Sequence, residues 1–308
     1  MRLLNHGENT VYGVRRRGQS ERYILRLHRP GYHPPDDLRS EAAFLDHLRD
    51  AGLEVPTPLR TAEGDAIAQV TTPGIPEGRW CSLLLKVPGA MHPVSAWGPT
   101  RARAAGRLLA RMHGAAATFR ASESFTRRTL DGPGLVGPNA CWGNPLAEPT
   151  LTPEQRALFT WGRDTVLAET ARWARTPDVW GPTHTDLHQG NVLFHGGAAR
   201  AIDFDDLAFS WYLSDFAVNL VPLRWVQPRS ADLLLDAYAA LRPLPKGLHE
   251  RLGLIHVGRR LTAVAWLRSR SDVPRLLSYL PARIRQACRT IEALRAGEDP
   301  LDVRPEPR

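Results

Sequence analysis

Lysine is nearly missing from this chain. Of its 40 basic residues only Lys86 and Lys246 are lysines and the rest are arginines, spread along the whole sequence. A net charge of +8 and a pI near 10 would suit a polyanion partner, but scattered arginine is a bias of the whole chain and not a patch. No nucleic-acid partner is expected, and the Arg15-Arg16-Arg17 run reads as a solvated turn between strands. Cysteine is scarce too. Cys81, Cys141 and Cys288 are odd in number, far apart and without metal-ligand spacing, which excludes a disulfide framework and suggests reduced thiols in a cytoplasmic protein. No apolar run reaches the length of a membrane span, no secretory signal opens the chain and no internal repeat is visible, so no membrane partner is expected.

What is present is ordinary globular material. The 308 residues are 43% hydrophobic and 23% charged, enough for two domains or lobes that bury roughly three quarters of the unfolded surface. The informative stretch runs from His184 to Asp203, HTDLHQGNVLFHGGAARAID. It reads as a loop, a strand, a Gly-Gly turn and a second strand, with Asp186 and Asn191 before the hairpin and Asp203 after it. Phosphoryl transfer needs one carboxylate to hold an acceptor hydroxyl, and an Asn and a second carboxylate to hold magnesium against a triphosphate. Asp186, Asn191 and Asp203 can fill those roles. Asp and Asn in a tight loop also serve as turn formers, but three in this order between matched apolar strands favour chemistry.

His184-Thr185-Asp186-Leu187-His188-Gln189-Gly190-Asn191 resembles the catalytic loop of the aminoglycoside phosphotransferase and choline kinase superfamily, and Ile202-Asp203-Phe204-Asp205 resembles its metal-binding segment. Both also fit the wider kinase patterns H-R-D-L-x-x-x-N and D-F-G, with Asp205 in place of the glycine. His188 stands where serine/threonine protein kinases usually carry lysine, which points to the phosphotransferase branch. The resemblance implies a structural role for His184. It also implies that Asp215, in the segment DDLAFSWYLSDFAVNL, braces the catalytic loop, while Asp205 and Asp206 have no fixed role and either could touch metal or substrate.

The implied fold is α+β and protein-kinase-like: a small antiparallel β lobe with one helix over residues 1–88, joined to a larger, mainly helical lobe over 89–308. Leu3 to Val14 reads as two strands around an Asn-His-Gly-Glu-Asn loop that could cover phosphates, although one glycine is no fingerprint. Tyr23 to His28 alternates as a strand. Arg26 stands at the place of the kinase lysine, and is either a phosphate contact or a surface strand arginine. Asp36 or Asp37 can cap a helix to about Asp50 with Leu38, Leu45 and Leu48 on one face. Glu41 shares that face. It either pairs with Arg26, as a carboxylate facing a core must find a partner, or reaches solvent at the edge. The last strand is expected over Cys81 to Val87, and Leu85 to Val87 sits at the hinge whose backbone would meet the adenine.

Beyond the hinge, Thr100 to Ala117 reads as a helix in which His113 packs, and a second helix is expected from Thr152 to about Arg175. Trp142 and Trp161 either line a pocket or fill the core. Beyond the segment DDLAFSWYLSDFAVNL, the remainder to about Ala296 reads as amphipathic helices, followed by a frayed proline-rich tail, EDPLDVRPEPR. The resemblance implies an ATP- and magnesium-dependent phosphotransferase, with Asp186 as base, Asn191 and Asp203 on the metal, and Arg26, Glu41, Leu85 and Val87 on the nucleotide. The alternatives are a protein Ser/Thr kinase of the same fold and a non-catalytic nucleotide-binding module. Family members act on aminoglycosides, choline, homoserine, sugars or protein serine and threonine. Arg120, Arg127, Arg128, Arg156, Arg163, Arg172 and Arg175 crowd the expected acceptor segment, which favours a small acceptor that is not a polycation.

Overall fold

The computed structural model describes every residue except 8, 19, 21, 74 and 306–308. The amino-terminal part holds β1 (Arg2–His6), β2 (Thr10–Val14), β3 (Tyr23–Leu27), α1 (Pro35–Asp50), β4 (Thr57–Pro58), β5 (Ala68–Thr72) and β6 (Ile75–Leu85). The strands form an antiparallel sheet in the order β1-β2-β3-β6-β4, with β5 also on β6. The expected β1–β2 pair is present, but Asn5 and His6, read as loop, extend β1 and pair with Val11 and Thr10; Glu8 lies outside the described residues. The last strand is longer than expected at its start and stops at Leu85.

Helix α1 starts differently from the sequence expectation. Pro34 is its N-cap and Pro35 its first residue, with no side-chain cap; proline there already has a helical φ and lacks an N–H that would go unpaired. Asp36 and Asp37 instead fall in the first turn, where the helix dipole favours negative charge. Leu38, Glu41, Leu45 and Leu48 are all buried, so one stripe carries both the packing and a carboxylate.

The second part runs β7 (Ala90–Met91), α2 (Pro99–Thr118), β8 (Thr129–Leu130), α3 (Gly132–Val136), α4 (Pro153–Thr170) and β9 (Trp180–Thr183). Then come β10 (Val192–His195), β11 (Ala198–Ala201), β12 (Ala208–Trp211), α5 (Leu213–Val226), α6 (Pro228–Ala239), α7 (Leu248–Arg268), α8 (Pro274–Leu277) and α9 (Leu280–Arg295). Thr152 caps α4 through a reciprocal pair with Gln155 at 3.2 and 3.1 Å, but the helix ends at Thr170, short of Arg175, whose guanidinium turns to Asp131 at 2.6 Å.

Helix α5 is not amphipathic. Leu213, Phe216, Ala217, Leu220, Val221 and Leu223 are buried around most of its circumference, as for a helix at the centre of a bundle. The carboxyl-terminal segment is not frayed at its start either: Leu301 is buried and Asp299 takes Arg224 at 2.7 Å. One continuous core runs from Leu45 and Leu84 through Trp97 and Leu109 to Phe204, Phe216 and Ile255, so the sheet and the helices pack as one body around the β9–β12 loops. No helix among the described residues is long and apolar enough to cross a membrane.

Candidate active site

Strand β9 delivers Thr183, His184 and Thr185 into the interior, all buried. Thr185 and Asp203 both have φ of 63°, the left-handed region that costs a non-glycine residue about 1–3 kcal/mol and persists only where neighbours impose it. Thr185 is held three ways. Its N–H donates to Asp215 Oδ1 at 2.7 Å, its Oγ1 to the Asp206 carbonyl at 2.6 Å, and its carbonyl accepts from Arg259 Nη1 at 2.9 Å. Asp215 is in turn bonded to His113 Nε2 at 3.2 Å, and His113 Nδ1 to Tyr238 at 3.1 Å. Burial lowers the pKa of His113 despite Asp215, so a neutral imidazole orients the aspartate. His113 therefore packs and braces at once. His184 ties the loop to the next strand through Ile202 O at 2.9 Å and accepts from Asp186 N at 3.3 Å.

This bracing fixes the three oxygen-bearing residues. Asn191 Nδ2 donates to the Asp186 carbonyl at 2.9 Å, and Ile202 N donates to Asn191 O at 3.0 Å. Strands β10 and β11, in register from Val192↔Ala201 to His195↔Ala198, turn through Gly196 and Gly197 and bring Asp203 back beside Asn191. The Asp186 side chain remains 37% exposed and that of Asp203 52%, so both face the cleft. The protein walls around these accessible oxygens still displace enough water to disfavour their charge and raise the pKa of each, opposed by Arg259 at Asp186 and by Arg26 at Asp203.

Among the described residues no three His, Cys, Asp or Glu side chains converge as a metal cage. Magnesium takes one or two protein oxygens and completes its octahedron with water and phosphate. Asn191, its amide nitrogen held by Asp186 O, is left to offer its amide oxygen, and Asp203 offers a carboxylate. Both are hard ligands of the right kind.

Above these carboxylates, Arg26 on β3 meets Glu41 on α1. Arg26 Nη1 lies 2.8 and 3.0 Å from the two Glu41 oxygens, with both side chains almost fully buried. The same guanidinium is 3.7 Å from Asp203 and 3.7 Å from Asp205. Burial disfavours its charge, but Glu41, Asp203 and Asp205 outweigh that and raise its pKa. Asp205 is buried and faces His33 at 3.7 Å; burial works against its ionisation, while His33 and Arg26 hold its pKa below the carboxylate range. Leu85 and Val87 stand apart from this cluster. Leu85 pairs with Tyr23 where Ser82 pairs with Arg26, a separation of about 10 Å along the strand, and the Lys86 N–H between them is already given to Arg22 O at 2.9 Å.

Sequence reasoning missed several residues. Arg259 on α7, besides holding Thr185, lies 3.9 Å from Asp186 Oδ1. Arg127 binds Leu207 O at 2.6 Å, Asp37 O at 3.1 Å and the Asp205 carbonyl, clamping α1 to the loop after Asp203. Tyr32, in the β3–α1 loop, donates to Asp206 at 3.0 Å. No periodicity marks contacts of such sequence separation. Of the seven arginines that crowded the expected acceptor segment, Arg127 and Arg128 reach this region. Arg163 and Arg172 form surface pairs with Asp164 and Glu169, and Arg156 is used on Glu148 O at 3.0 Å. A groove of about 620 Å³ between α4 and α9 includes none of the site residues.

A five-stranded path of antiparallel sheet with one helix, set on a helical body whose hairpin presents Asp, Asn and Asp, is the architecture of the protein-kinase-like phosphotransferases. The chain belongs to the phosphotransferase enzyme family, whose profile matches residues 2–254. It is similar to the amicoumacin kinase of Bacillus subtilis (strain 168), 28% identical over 230 residues, covering 73% of this chain and 63% of that protein. It is also similar to a homoserine kinase of Pseudomonas aeruginosa, 30% identical over 230 residues, covering 72% of this chain and 66% of that protein. The matches thus span just under two thirds of these relatives. A solved microcompartment-associated aminopropanol kinase superposes with a TM-score of 0.83 at 25% identity, covering 98% of this chain and 94% of that one.

Proposed function

We propose that the chain is an ATP- and magnesium-dependent kinase that moves the γ-phosphate to a hydroxyl of a small molecule. The observation that carries this is the pair of linked sets Glu41–Arg26–Asp203 and Asn191–Asp186, the two brought to one end of the β10–β11 hairpin. Asp186 takes the proton of the acceptor hydroxyl as the oxygen attacks the γ-phosphorus; its exposed carboxylate and raised pKa suit a base. Asn191 and Asp203 would hold magnesium, which neutralises charge on the triphosphate. Arg26 directs its remaining donors toward the same side, where a guanidinium can serve in place of lysine. Arg259 and Asp215 keep the Asp186 loop in its strained shape.

In this reading residues 1–88 form the nucleotide lobe, with the Leu85 and Val87 backbone on the adenine edge, and 89–308 carry the acceptor. The named activities of the similar proteins, on amicoumacin, homoserine and aminopropanol, favour a small-molecule acceptor over a protein. Arg128 and Arg259 beside the carboxylates disfavour a polycation, and a cytoplasmic location completes the proposal. Its test is incubation with ATP and magnesium against a panel of hydroxyl compounds, scoring nucleotide binding and phosphoryl transfer separately. ATP consumption dependent on an acceptor is expected. Tight nucleotide binding with no transfer to any acceptor or water would favour a non-catalytic nucleotide-binding module.

A further inference from the structure

Arg259 stands on α7, past residue 254, where the match to the family profile ends. Its guanidinium is anchored at one corner. Nη1 donates to the Thr185 carbonyl at 2.9 Å, while Nη2 lies 3.9 Å from Asp186 Oδ1. That separation is too long for a hydrogen bond, so among the described residues Nη2 has no acceptor. The side chain is 26% exposed beside the 37% exposed Asp186, so a ligand at Asp186 meets it without any rearrangement of the chain.

The other cations of this region are committed elsewhere. Arg26 lies against Glu41, Asp203 and Asp205, and Arg127 gives its donors to three backbone carbonyls. Arg128 stacks on the Tyr32 ring at 4.8 Å and donates to the Tyr32 carbonyl at 3.0 Å. His188, two residues after Asp186, adds no charge. Its Nδ1 accepts from Gly190 N at 2.9 Å, as only an unprotonated nitrogen can, and burial, then the neighbouring His184, lower its pKa. Three carboxylates, Asp186, Asp206 and Asp215, act electrostatically on Arg259. This end of the cleft therefore repels a phosphoryl group unless Arg259 faces it.

Phosphoryl transfer spreads negative charge over the three peripheral oxygens of the group in flight. An acceptor oxygen held by Asp186 faces the phosphorus at about 3–3.5 Å before attack, which sets those oxygens beside the same carboxylate and within reach of Nη2. We propose that Arg259 is a catalytic residue that donates from Nη2 to a peripheral oxygen of the phosphoryl group as it passes from nucleotide to acceptor. The acceptor oxygen bonds to phosphorus and its proton goes to Asp186, while the bond to the ADP oxygen breaks and its electron pair stays on that oxygen. Arg259 keeps all its protons. This rests on the kinase reading and adds to it a residue that acts on the transferred group itself.

The test compares Arg259→Gln, which keeps a neutral donor, with Arg259→Lys, which keeps a cation, and reads binding as well as rate. The binding probe is magnesium-ADP with aluminium fluoride, a stand-in for the group in flight, titrated calorimetrically with the best acceptor of the panel present and compared with magnesium-ADP alone. The native protein should bind the fluoride complex more tightly than ADP. Arg259→Gln should lose about 10²–10³-fold of that gain and a similar factor in single-turnover rate, the worth of one preorganised donor, with ADP affinity unchanged. Arg259→Lys should recover part of both losses. Equal losses in the two variants, with ADP weakened as much as the fluoride complex, would mean that Arg259 only holds Thr185 and would overturn the proposal. So would a native gain from fluoride in Arg259→Gln or, should that variant not fold, a native gain and rate in Arg259→Lys, whose single ammonium cannot serve Thr185 and the phosphoryl group together. Either result, with transfer intact in the native protein, leaves the kinase reading standing. If the native protein binds ADP but transfers phosphate to no compound, both fall.

Discussion

Replacing Glu41 by glutamine tests whether the Arg26–Glu41 pair organises the nucleotide side of the cleft. Arg26 gives Glu41 contacts of 2.8 and 3.0 Å at side-chain exposures of 6% and 5%. Breaking a buried pair by removing one partner typically costs about 3–5 kcal/mol because the other charge is stranded. Here Arg26 is not stranded, since Asp203 and Asp205 each lie 3.7 Å away, and the glutamine oxygen can still accept one hydrogen bond. The cost should therefore fall to about 1.5–3 kcal/mol, the worth of a charged hydrogen bond. Drawn toward Asp203, the guanidinium would also neutralise the carboxylate proposed to hold magnesium, so KM for ATP should rise. Urea unfolding and initial rates at varied ATP measure both effects. Arg26→Met should cost more than Glu41→Gln, because it removes the one guanidinium that Glu41, Asp203 and Asp205 share. A Glu41→Gln protein within about 0.5 kcal/mol of native, the range of a neutral surface change, with an unaltered KM for ATP, would refute the reasoning.

Arg259→Met removes the cation that opposes burial at Asp186. The folded pKa of Asp186 then rises further. Because Asp186, as the proposed base, would act only when ionised, the pH below which kcat/KM declines should move upward, and an unmoved profile would show that Arg259 does not sense Asp186. Gly89→Ala places a Cβ 2.8 Å from Leu193 Cβ and 3.2 Å from Phe194 O at a φ of 137°. Overpacking and strain together should destabilise by about 1–3 kcal/mol, read as a lower melting temperature; an unchanged one would mean that β10 shifts freely against the hinge.

Local pattern made part of this legible before any coordinates. Asp186, Asn191 and Asp203 stand on one loop and one hairpin, so their convergence follows from turn chemistry and strand length alone. Glu41 could be paired with Arg26 because helical spacing put a carboxylate among leucines, where only a buried cation satisfies it. The α1 cap was misread because Pro34-Pro35 sets the helical φ without a side-chain acceptor. Helix α7 was misread because its surroundings, not its sequence period, decide which faces are wet. Arg259, the clamp that Arg127 makes and the docking of Tyr32 on Asp206 were invisible for a different reason. Each acts across 74 to 174 residues of chain, and a single arginine or tyrosine carries no periodic signal of where it will dock.

The central claim is that Asp186 accepts the acceptor proton at a site assembled for phosphoryl transfer. Asp186→Asn removes the proton acceptor while preserving shape, and its measurement is the single-turnover rate of transfer from bound ATP to the best acceptor. A fall of about 10²–10⁴-fold is expected, with nucleotide affinity and melting temperature close to native. Transfer at the native rate by a folded, ATP-binding Asp186→Asn protein would contradict it.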